Sequence, residues 1–171
     1  MLAQVSSASE RFNAQAVREK WPALCDDRLD LQSPKLAALL AVWSTVAGER
    51  AMPRREDFTA RILARHLRDI TFVERSGARY RFRLFGSALA EMTGDWTGKF
   101  LDEAVPAQFL PSWTATYDAA LEAAAPLRFT ARFRASQLEH VMAETLVAPL
   151  AGECGAASGL LVSVAYSPVV A

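Results

Sequence analysis

Apolar residues recur at helical spacing in the stretch that follows Ser33. They are Leu36, Leu39, Leu40, Trp43 and Val46. Ser33 suits the N-cap because its side-chain oxygen can accept a hydrogen bond from a free backbone N–H of the first turn. Pro34 suits the first helical position, where no amide hydrogen bond is lost, and Gly48 supplies a left-handed stop. The pattern predicts an amphipathic helix from Pro34 to Gly48.

Four further helical segments are predicted downstream. One runs from about Arg55 to Arg65, and two short ones are expected at Ser87 to Thr93 and Phe100 to Ala104. A longer helix starts at Pro111 and is closed by Pro126, because proline lacks the N–H that a helix interior needs. Apolar side chains fall on one side of this longer helix. They are Leu110, Trp113, Tyr117, Ala120, Leu121 and Ala124.

Elsewhere the pattern changes to a period of two, which is typical of strands. Residues 69–75 and 79–85 are predicted to form an antiparallel hairpin around a Ser-Gly turn. Three further strands are predicted at 127–134, 138–150 and 158–166. In the second strand of the hairpin, the alternation sends two sets of side chains to opposite faces. They are Arg79, Arg81 and Arg83 on one face and Tyr80, Phe82 and Leu84 on the other.

The order of these elements predicts an α+β fold. Five mostly antiparallel strands form one sheet, and helices are inserted between the second and third strands. We expect residues 34–171 to form a single domain, because a chain of 171 residues with 51% apolar positions can bury one core of ordinary size. Residues 1–33 are expected to form an N-terminal extension that is helical after Ser9 or mobile.

The equal totals of 19 basic and 19 acidic residues hide an uneven distribution. Residues 48–83 contain ten arginines and five acidic residues. Guanidinium groups suit phosphate, and the alternative is that Arg79, Arg81 and Arg83 line the solvent face of a strand. No nucleic-acid partner is predicted, because domains that bind nucleic acid usually carry a basic charge overall. Cys25 and Cys154 lack the spacing of a zinc or redox motif and are expected to be free thiols.

The chain is expected to act in the cytoplasm. Its first residues show no basic segment followed by an apolar run, so no signal peptide is predicted. Residues 155–171 carry no charge, but glycine, serine and proline interrupt them, whereas a spanning helix needs about 20 mainly apolar residues. No contact with a membrane is predicted.

Several short motifs occur in the order found in one known family. They are Trp43, Met52-Pro53-Arg54-Arg55-Glu56-Asp57, Tyr80 to Ser87, Gly94 to Lys99 and Ala148-Pro149-Leu150. Together with the order of elements, they make residues 36–166 resemble a family of short bacterial PAS-like proteins that is common in alphaproteobacteria. The family pattern usually has Asp-Pro soon after the Met-Pro step, where this chain has Thr59-Ala60. The second predicted helix is therefore where the chain departs from the family.

The resemblance implies a stand-alone sensory or signalling module that binds a small ligand or a protein partner and has no output domain in this chain. It also implies a homodimer, since PAS dimers often form through a helix that precedes the sheet. The dimer surface implied in this way comprises the N-terminal extension with Leu36, Leu40 and Trp43. A small-molecule carrier is the alternative from the class of binding proteins.

A PAS arrangement places a candidate ligand pocket under the long predicted helix. Its lining residues are Phe82, Leu84, Met92, Trp96, Phe100, Phe109, Trp113, Tyr117 and Leu146. Such a wall could enclose a small apolar ligand, and the alternative is that these side chains simply fill the core. Arg83 is expected to anchor a carboxylate ligand or to pair with an internal acid such as Asp95 or Asp102.

No catalytic, metal or cofactor site is predicted. His66 and His140 lie outside the long helix that would face a haem in a PAS domain. Asp102 and Glu103 are adjacent, and adjacent side chains diverge by about 100° on a helix, which suits solvated charges better than a shared pocket. A further hypothesis is an α+β enzyme that uses Asp95, Asp102 or Glu103. It requires one of these acids to be buried with a strongly raised pKa.

Overall fold

The computed structural model of the chain describes residues 7–134 and 140–169. Its strands are β1 (Ala23–Asp26), β2 (Ile70–Ser76), β3 (Arg79–Phe85), β4 (Leu127–Arg134), β5 (His140–Ala151) and β6 (Ala157–Pro168). Its helices are α1 (Ala8–Glu19), α2 (Pro34–Ala47), α3 (Ala60–Leu63), α4 (Ser87–Thr93), α5 (Leu101–Ala104) and α6 (Leu110–Ala123). The strands form one antiparallel sheet in the order β1-β4-β5-β6-β2-β3. The fold is α+β, as predicted; residues 138–139 of the predicted 138–150 strand lie outside the described residues.

Within the described residues the sheet has six strands rather than the five predicted. The additional strand is β1, which comes from the predicted extension and pairs with β4 so that Leu24 lies opposite Thr130. Its residues, Ala-Leu-Cys-Asp, do not alternate between apolar and polar, and four residues are the shortest run over which a period of two is recognised. The hydrophobic pattern therefore could not predict this strand.

Helix α1 fastens β1 to the rest of the fold. The Asn13 side chain accepts a hydrogen bond from the N–H of Cys25 at 2.8 Å and donates one to the carbonyl oxygen of Cys25 at 2.9 Å. Asn13 thus pairs with the outer edge of β1 much as a neighbouring strand would. Phe12 packs edge-on against Phe129 of β4, with ring centroids 5.0 Å apart. Residues 8–26 are therefore packed onto the same sheet as the rest of the chain.

Helices cover both faces of the sheet, and each face carries its own apolar core. Helices α1 and α6 cover the first core, which includes Phe12, Tyr80, Phe82, Tyr117, Phe129 and Leu160. Helix α2 and the segment around α3 cover the second core, which includes Leu36, Trp43, Phe58, Leu63, Phe72 and Leu146. Residues that lie one strand position apart can therefore belong to different cores.

The helix predicted from Arg55 to Arg65 is interrupted. Residues Arg55–Asp57 form a 3-10 turn, and α3 begins only after Thr59. The Thr59 hydroxyl accepts a hydrogen bond at 3.3 Å from the backbone of the first turn of α3, which favours a new helix start at this point. The extended residue between the two pieces, Phe58, enters the second core, where its ring lies 6.0 Å from that of Phe72.

Helix α2 forms where it is predicted, but its apolar face is not free for a second copy. Leu36 and Trp43 are buried in the second core, and Leu40 packs against the same core. The Trp43 indole N–H also donates a hydrogen bond at 2.9 Å to the Pro149 carbonyl oxygen of β5. The dimer surface expected at these three residues is therefore corrected. Their side chains pack against the chain's own sheet, which needs this cover on its second face.

A buried carboxylate holds the start of α2 against the sheet. Glu144 of β5 accepts hydrogen bonds from the backbone N–H groups of Gln32 and Ser33 at 2.9 and 2.8 Å. It also accepts one from the Arg128 guanidinium at 2.6 Å. Burial alone would raise the pKa of Glu144, but these hydrogen bonds outweigh burial and lower it.

The other edge strand, β3, is covered at its middle by the loop that follows α4. The N–H of Gly98 donates a hydrogen bond to the Phe82 carbonyl oxygen at 2.7 Å, and the Phe82 N–H donates one to the Lys99 carbonyl oxygen at 3.0 Å. Gly98 has a φ of 84°, a left-handed conformation that glycine adopts without the strain of a side chain. This turn brings the loop alongside β3.

Candidate functional site

Six aromatic rings run in contact from the sheet to the surface of α6. They are Tyr80, Phe82 and Phe85 on β3, Trp96 in the following loop, and Trp113 and Tyr117 on α6. Neighbouring ring centroids lie between 5.1 and 6.4 Å apart. Tilted and edge-on rings at such distances are in contact and stabilise one another. We term this set the aromatic ladder.

The aromatic ladder contains four of the side chains predicted to line a ligand pocket. They are Phe82, Trp96, Trp113 and Tyr117. Their rings contact one another directly, so side chains fill the space between them. This packing corresponds to the core-filling alternative at this place in the fold.

A β-bulge separates Leu84 from these rings. Val73 lies opposite Phe82, while the preceding residue of β2 lies opposite Leu84, so Arg83 is an extra residue in β3. The extra residue shifts the alternation, with the result that Phe82 faces the first core and Leu84 packs against the second. Phe85 takes the place beside Phe82 instead, with ring centroids 5.5 Å apart. A regular period of two places Phe82 and Leu84 on one face, and the bulge overturns that expectation.

The remaining predicted pocket residues lie elsewhere. Leu146 is fully buried in the second core, on the opposite face of the sheet from the aromatic ladder. Phe100 lies beneath the guanidinium group of Arg79, which is 3.6 Å from the ring centroid. Met92 and Phe109 are exposed. The nine predicted residues therefore do not line one common pocket.

Two tyrosines bring hydroxyl groups into the aromatic ladder. The Tyr80 hydroxyl donates a hydrogen bond to the carboxylate of Asp118. Burial raises the pKa of Tyr117, and burial together with the Asp118 carboxylate raises the pKa of Tyr80. Both side chains therefore stay neutral near pH 7, so the ladder presents no charge to a ligand.

Arg83 pairs with a neighbour on the sheet and not with the acids expected as its partners. Its Nε atom lies 3.4 Å from Oε2 of Glu74 on β2, and both side chains are exposed. Asp102 instead accepts a hydrogen bond from Arg79 at 2.9 Å. Asp95 accepts one from within its own loop. The expected internal pairing is corrected, because the bulge turns Arg83 toward solvent.

The three acids of the enzyme hypothesis are all exposed. Hydrogen bonds from Thr97 lower the pKa of Asp95. A backbone N–H at the start of α5 and the Arg79 guanidinium lower the pKa of Glu103, and Asp102 pairs with the same arginine. A general acid near pH 7 needs burial and a raised pKa. The pKa values of Asp95 and Glu103 are lowered instead, so neither residue is the buried acid with a raised pKa that the enzyme hypothesis requires.

A groove lies at the opposite edge of the sheet from the aromatic ladder, where no site is predicted. It is formed where the C-terminal half of α1 meets β1, β4 and β5, and its volume is about 540 Å³. Its lining includes the apolar side chains Val17, Trp21, Leu24 and Met142 and the cations Lys20 and Arg132. We term it the basic groove. Its walls depend on β1, which the sequence pattern does not reveal, so no sequence signal pointed to it.

The described part of the chain offers no sign of two other kinds of site. None of its helices is long and apolar enough to cross a membrane. Over the same residues, no three His, Cys, Asp or Glu side chains are placed together so that they could hold a metal ion. Cys25 is buried, Cys154 is exposed, and both are free thiols.

An antiparallel sheet with helices inserted between β3 and β4 makes this chain a small α+β domain. The sequence matches the PAS domain family over residues 31–164, which is most of the chain. The chain therefore belongs to the PAS domain family. A search of curated proteins found no match to the sequence.

Proposed function

We propose that this PAS-family protein is a signalling module that acts as a homodimer and passes its state to a protein partner instead of catalysing a reaction. One observation carries the proposal: two large aromatic side chains, one helical turn apart, are exposed at the start of α6. Phe109 is 52% exposed and Trp113 is 38% exposed. Apolar side chains that are exposed together are typical of interaction sites, and aromatic residues are enriched in protein interfaces.

The two rings share one side of α6. The backbone N–H of Trp113 donates a hydrogen bond to the Phe109 carbonyl oxygen at 3.1 Å, so the two residues are one helical turn apart. Residues four apart on a helix are neighbours on its surface. We term this pair the aromatic surface. Because Trp113 also belongs to the aromatic ladder, the surface is continuous with the first core.

The local charge favours a second copy of the chain as the occupant of the aromatic surface. Residues 104–117 contain no charged side chain. In a twofold dimer the same surface meets itself, so charges of one sign would repel their own copy. An uncharged aromatic patch avoids this repulsion and is self-complementary in polarity.

The aromatic ladder supplies a physical route from the aromatic surface to the sheet. The Trp113 ring lies 6.1 Å from Trp96, and the Trp96 ring lies 5.5 Å from Phe82. Closely packed rings leave little free volume, so a displacement of one ring is transmitted to the next. In this proposal, contact between two copies and the packing of β3 depend on each other.

The same packing bears on the ligand and carrier hypotheses. A small apolar ligand between α6 and β3 would have to separate rings that now contact one another, and it would replace those contacts with its own. The energetic gain from such a ligand is therefore small at this place. A role in protein contact at the aromatic surface is therefore better supported than a role in binding a small ligand.

Sedimentation velocity of the wild type, Phe109→Glu and Ile62→Glu tests the proposal. Ile62 is the matched control because it is also a large apolar residue, 41% exposed, and lies on α3. We expect wild type and Ile62→Glu to dimerise alike. Phe109→Glu should weaken dimerisation by about tenfold or more, because each dimer would bury two unpaired carboxylates.

Two results would contradict the homodimer. The first is a wild type that stays monomeric at about 100 μM, a concentration at which even weak specific dimers form. The second is a Phe109→Glu variant that dimerises as tightly as the wild type. Circular dichroism of each variant verifies that the fold is retained.

A further inference from the structure

The apolar walls of the basic groove remain open to solvent. Val17 on α1 is 79% exposed and Leu24 on β1 is 60% exposed. Trp21 and Met142 complete the apolar part of the lining. Single exposed apolar side chains are ordinary, but several that line one depression mark a contact surface.

Both charged side chains that line the basic groove are cations. Lys20 follows the last turn of α1, and Arg132 lies on β4, where its backbone N–H bonds the Pro22 carbonyl oxygen. Among the residues that the structure describes, neither cation takes part in a salt bridge. Of the acidic side chains that the structure describes, none lines the groove. Two positive charges therefore stand beside exposed apolar side chains.

We infer that the basic groove docks an acidic amphipathic segment of a partner protein. Apolar side chains of that segment would cover Val17, Leu24 and Met142, and its carboxylates would pair with Lys20 and Arg132. The inference rests on the proposed function only in that the chain acts through protein contacts. The basic groove and the aromatic surface share no residue.

The exposure of the walls favours a protein segment over a small molecule. Small-molecule sites are concave and bury about 70–90% of the ligand surface. Val17 and Leu24 are mostly exposed, so they form the rim of a shallow depression rather than an enclosing wall. An amphipathic segment covers such a surface with one of its faces and leaves its other face in water.

The charge of the groove favours an acidic partner over a second copy. A twofold contact through this face would bring Lys20 and Arg132 of one copy toward the same cations of the other. An acidic segment is attracted instead, and the attraction both speeds association and weakens as salt is added. The two surfaces of the molecule thus differ in the partner that they suit.

A peptide display selection against the full chain tests the inference without assuming the sequence of a partner. The probe is a random library of peptides of about 12 residues, which is roughly three helical turns. Selected peptides are then labelled and their affinities measured by fluorescence anisotropy. The groove variants are Leu24→Asp and the double variant Lys20→Glu with Arg132→Glu. The matched controls are Ile62→Asp and Arg18→Glu, since Arg18 lies on α1 but does not line the groove.

We expect the enriched peptides to be acidic and to carry apolar residues at helical spacing. Their affinity should fall about tenfold in Leu24→Asp, because the new carboxylate meets an apolar side chain of the peptide. It should fall about as much in the double variant, because the new carboxylates repel those of the peptide. Both control variants should bind like the wild type. The affinity for the wild type should fall as NaCl is raised.

Several results would overturn the inference. They are enrichment of peptides without an acidic bias, binding that the groove variants retain, and no enrichment at all. Saturable binding of laurate that Leu24→Asp abolishes, with no peptide enriched, would assign the groove to a small amphiphile and would also overturn it. Dimerisation of Phe109→Glu is measured separately, so failure at the groove leaves the aromatic surface untouched.

Discussion

Asn13 has the clearest structural role of any single polar residue in the N-terminal segment. Asparagine has only moderate helix propensity, yet it occupies the middle of α1. Its amide bonds both the N–H and the carbonyl oxygen of Cys25, so these two groups at the edge of β1 have partners without another strand. These two hydrogen bonds give a physical reason for asparagine at this position.

We expect Asn13→Ala to lower the free energy of unfolding by about 1–3 kcal/mol, because it leaves two backbone groups of Cys25 without partners. Gln15→Ala is the matched control, since it removes an amide side chain from the same helix. It should change stability by no more than about 0.5 kcal/mol. Urea denaturation followed by circular dichroism measures both values.

The Cys25 thiol offers a second readout of the same change. Burial, with Asp27 and Asp26 nearby, raises the pKa of Cys25 to about 12, so its reactive thiolate is scarce at pH 8. In a Cys154→Ser background, a disulfide reagent should label Cys25 slowly, and Asn13→Ala should speed the labelling. Equal stability and equal labelling rates for Asn13→Ala and Gln15→Ala would contradict the role of Asn13.

At the scale of elements, the sequence predicts best where local signals agree with one another. Helix α2 has a serine cap, a proline at its first position and apolar residues at helical spacing, and the observed helix is Pro34–Ala47. The strands of the β2–β3 hairpin lie within one residue of their predicted bounds, because alternation and a Ser-Gly turn act together. Local signals are sufficient for these elements.

The features that sequence did not predict depend on contacts between distant parts of the chain. Strand β1 is too short for a periodic signal and exists because β4 and Asn13 pair with its two edges. The bulge at Arg83 contains no glycine and follows from the register between β2 and β3. The sequence predicts four rings of the aromatic ladder as the lining of a ligand pocket, and that predicted pocket includes neither Tyr80 nor Phe85. The basic groove is not predicted at all.

Glu144 couples β5 to the start of α2 and makes this connection sensitive to pH. In the folded chain its pKa is lowered relative to its ordinary, unfolded value. The carboxylate therefore stabilises the fold above that unfolded value, and its contribution is lost as the pH falls through the folded-state pKa.

We expect Glu144→Gln to be destabilised at pH 7 by about 1–3 kcal/mol, because the charged hydrogen bonds to Arg128 and two backbone N–H groups are weakened. Its stability should also fall less steeply than that of the wild type between about pH 5 and pH 3. Urea denaturation across this range measures both effects. Glu153→Gln, at an exposed position between β5 and β6, should follow the wild type. Parallel curves for wild type and Glu144→Gln would contradict the coupling.

At the scale of the whole molecule, the N-terminal segment and the family match do not begin together. The match to the PAS domain family starts at residue 31, whereas residues 8–26 already contribute α1 and β1. Phe12, Ala16 and Cys25 are buried in the first core. We propose that the stable unit of this protein includes the N-terminal segment as well as the matched region.

A chain that starts at residue 31 should therefore be less stable than the full chain by more than about 3 kcal/mol, since losing even one buried phenylalanine costs about that much. It should also bind the dye ANS, because Phe129 and its neighbours lose their cover. A peptide of residues 7–30 added in trans should restore stability and suppress dye binding. Equal urea midpoints for the two chains would show that the matched region is sufficient alone.

Both edge strands of the sheet are partly paired by other segments of the chain. Asn13 bonds the backbone of β1, and Gly98 and Lys99 bond the backbone of β3. Unpaired edge strands are common templates for aggregation, because each strand that is added leaves a new unpaired edge. Here that route to growth is obstructed on both sides. The twofold contact proposed for α6 is complete at two subunits and adds no further strand to the sheet.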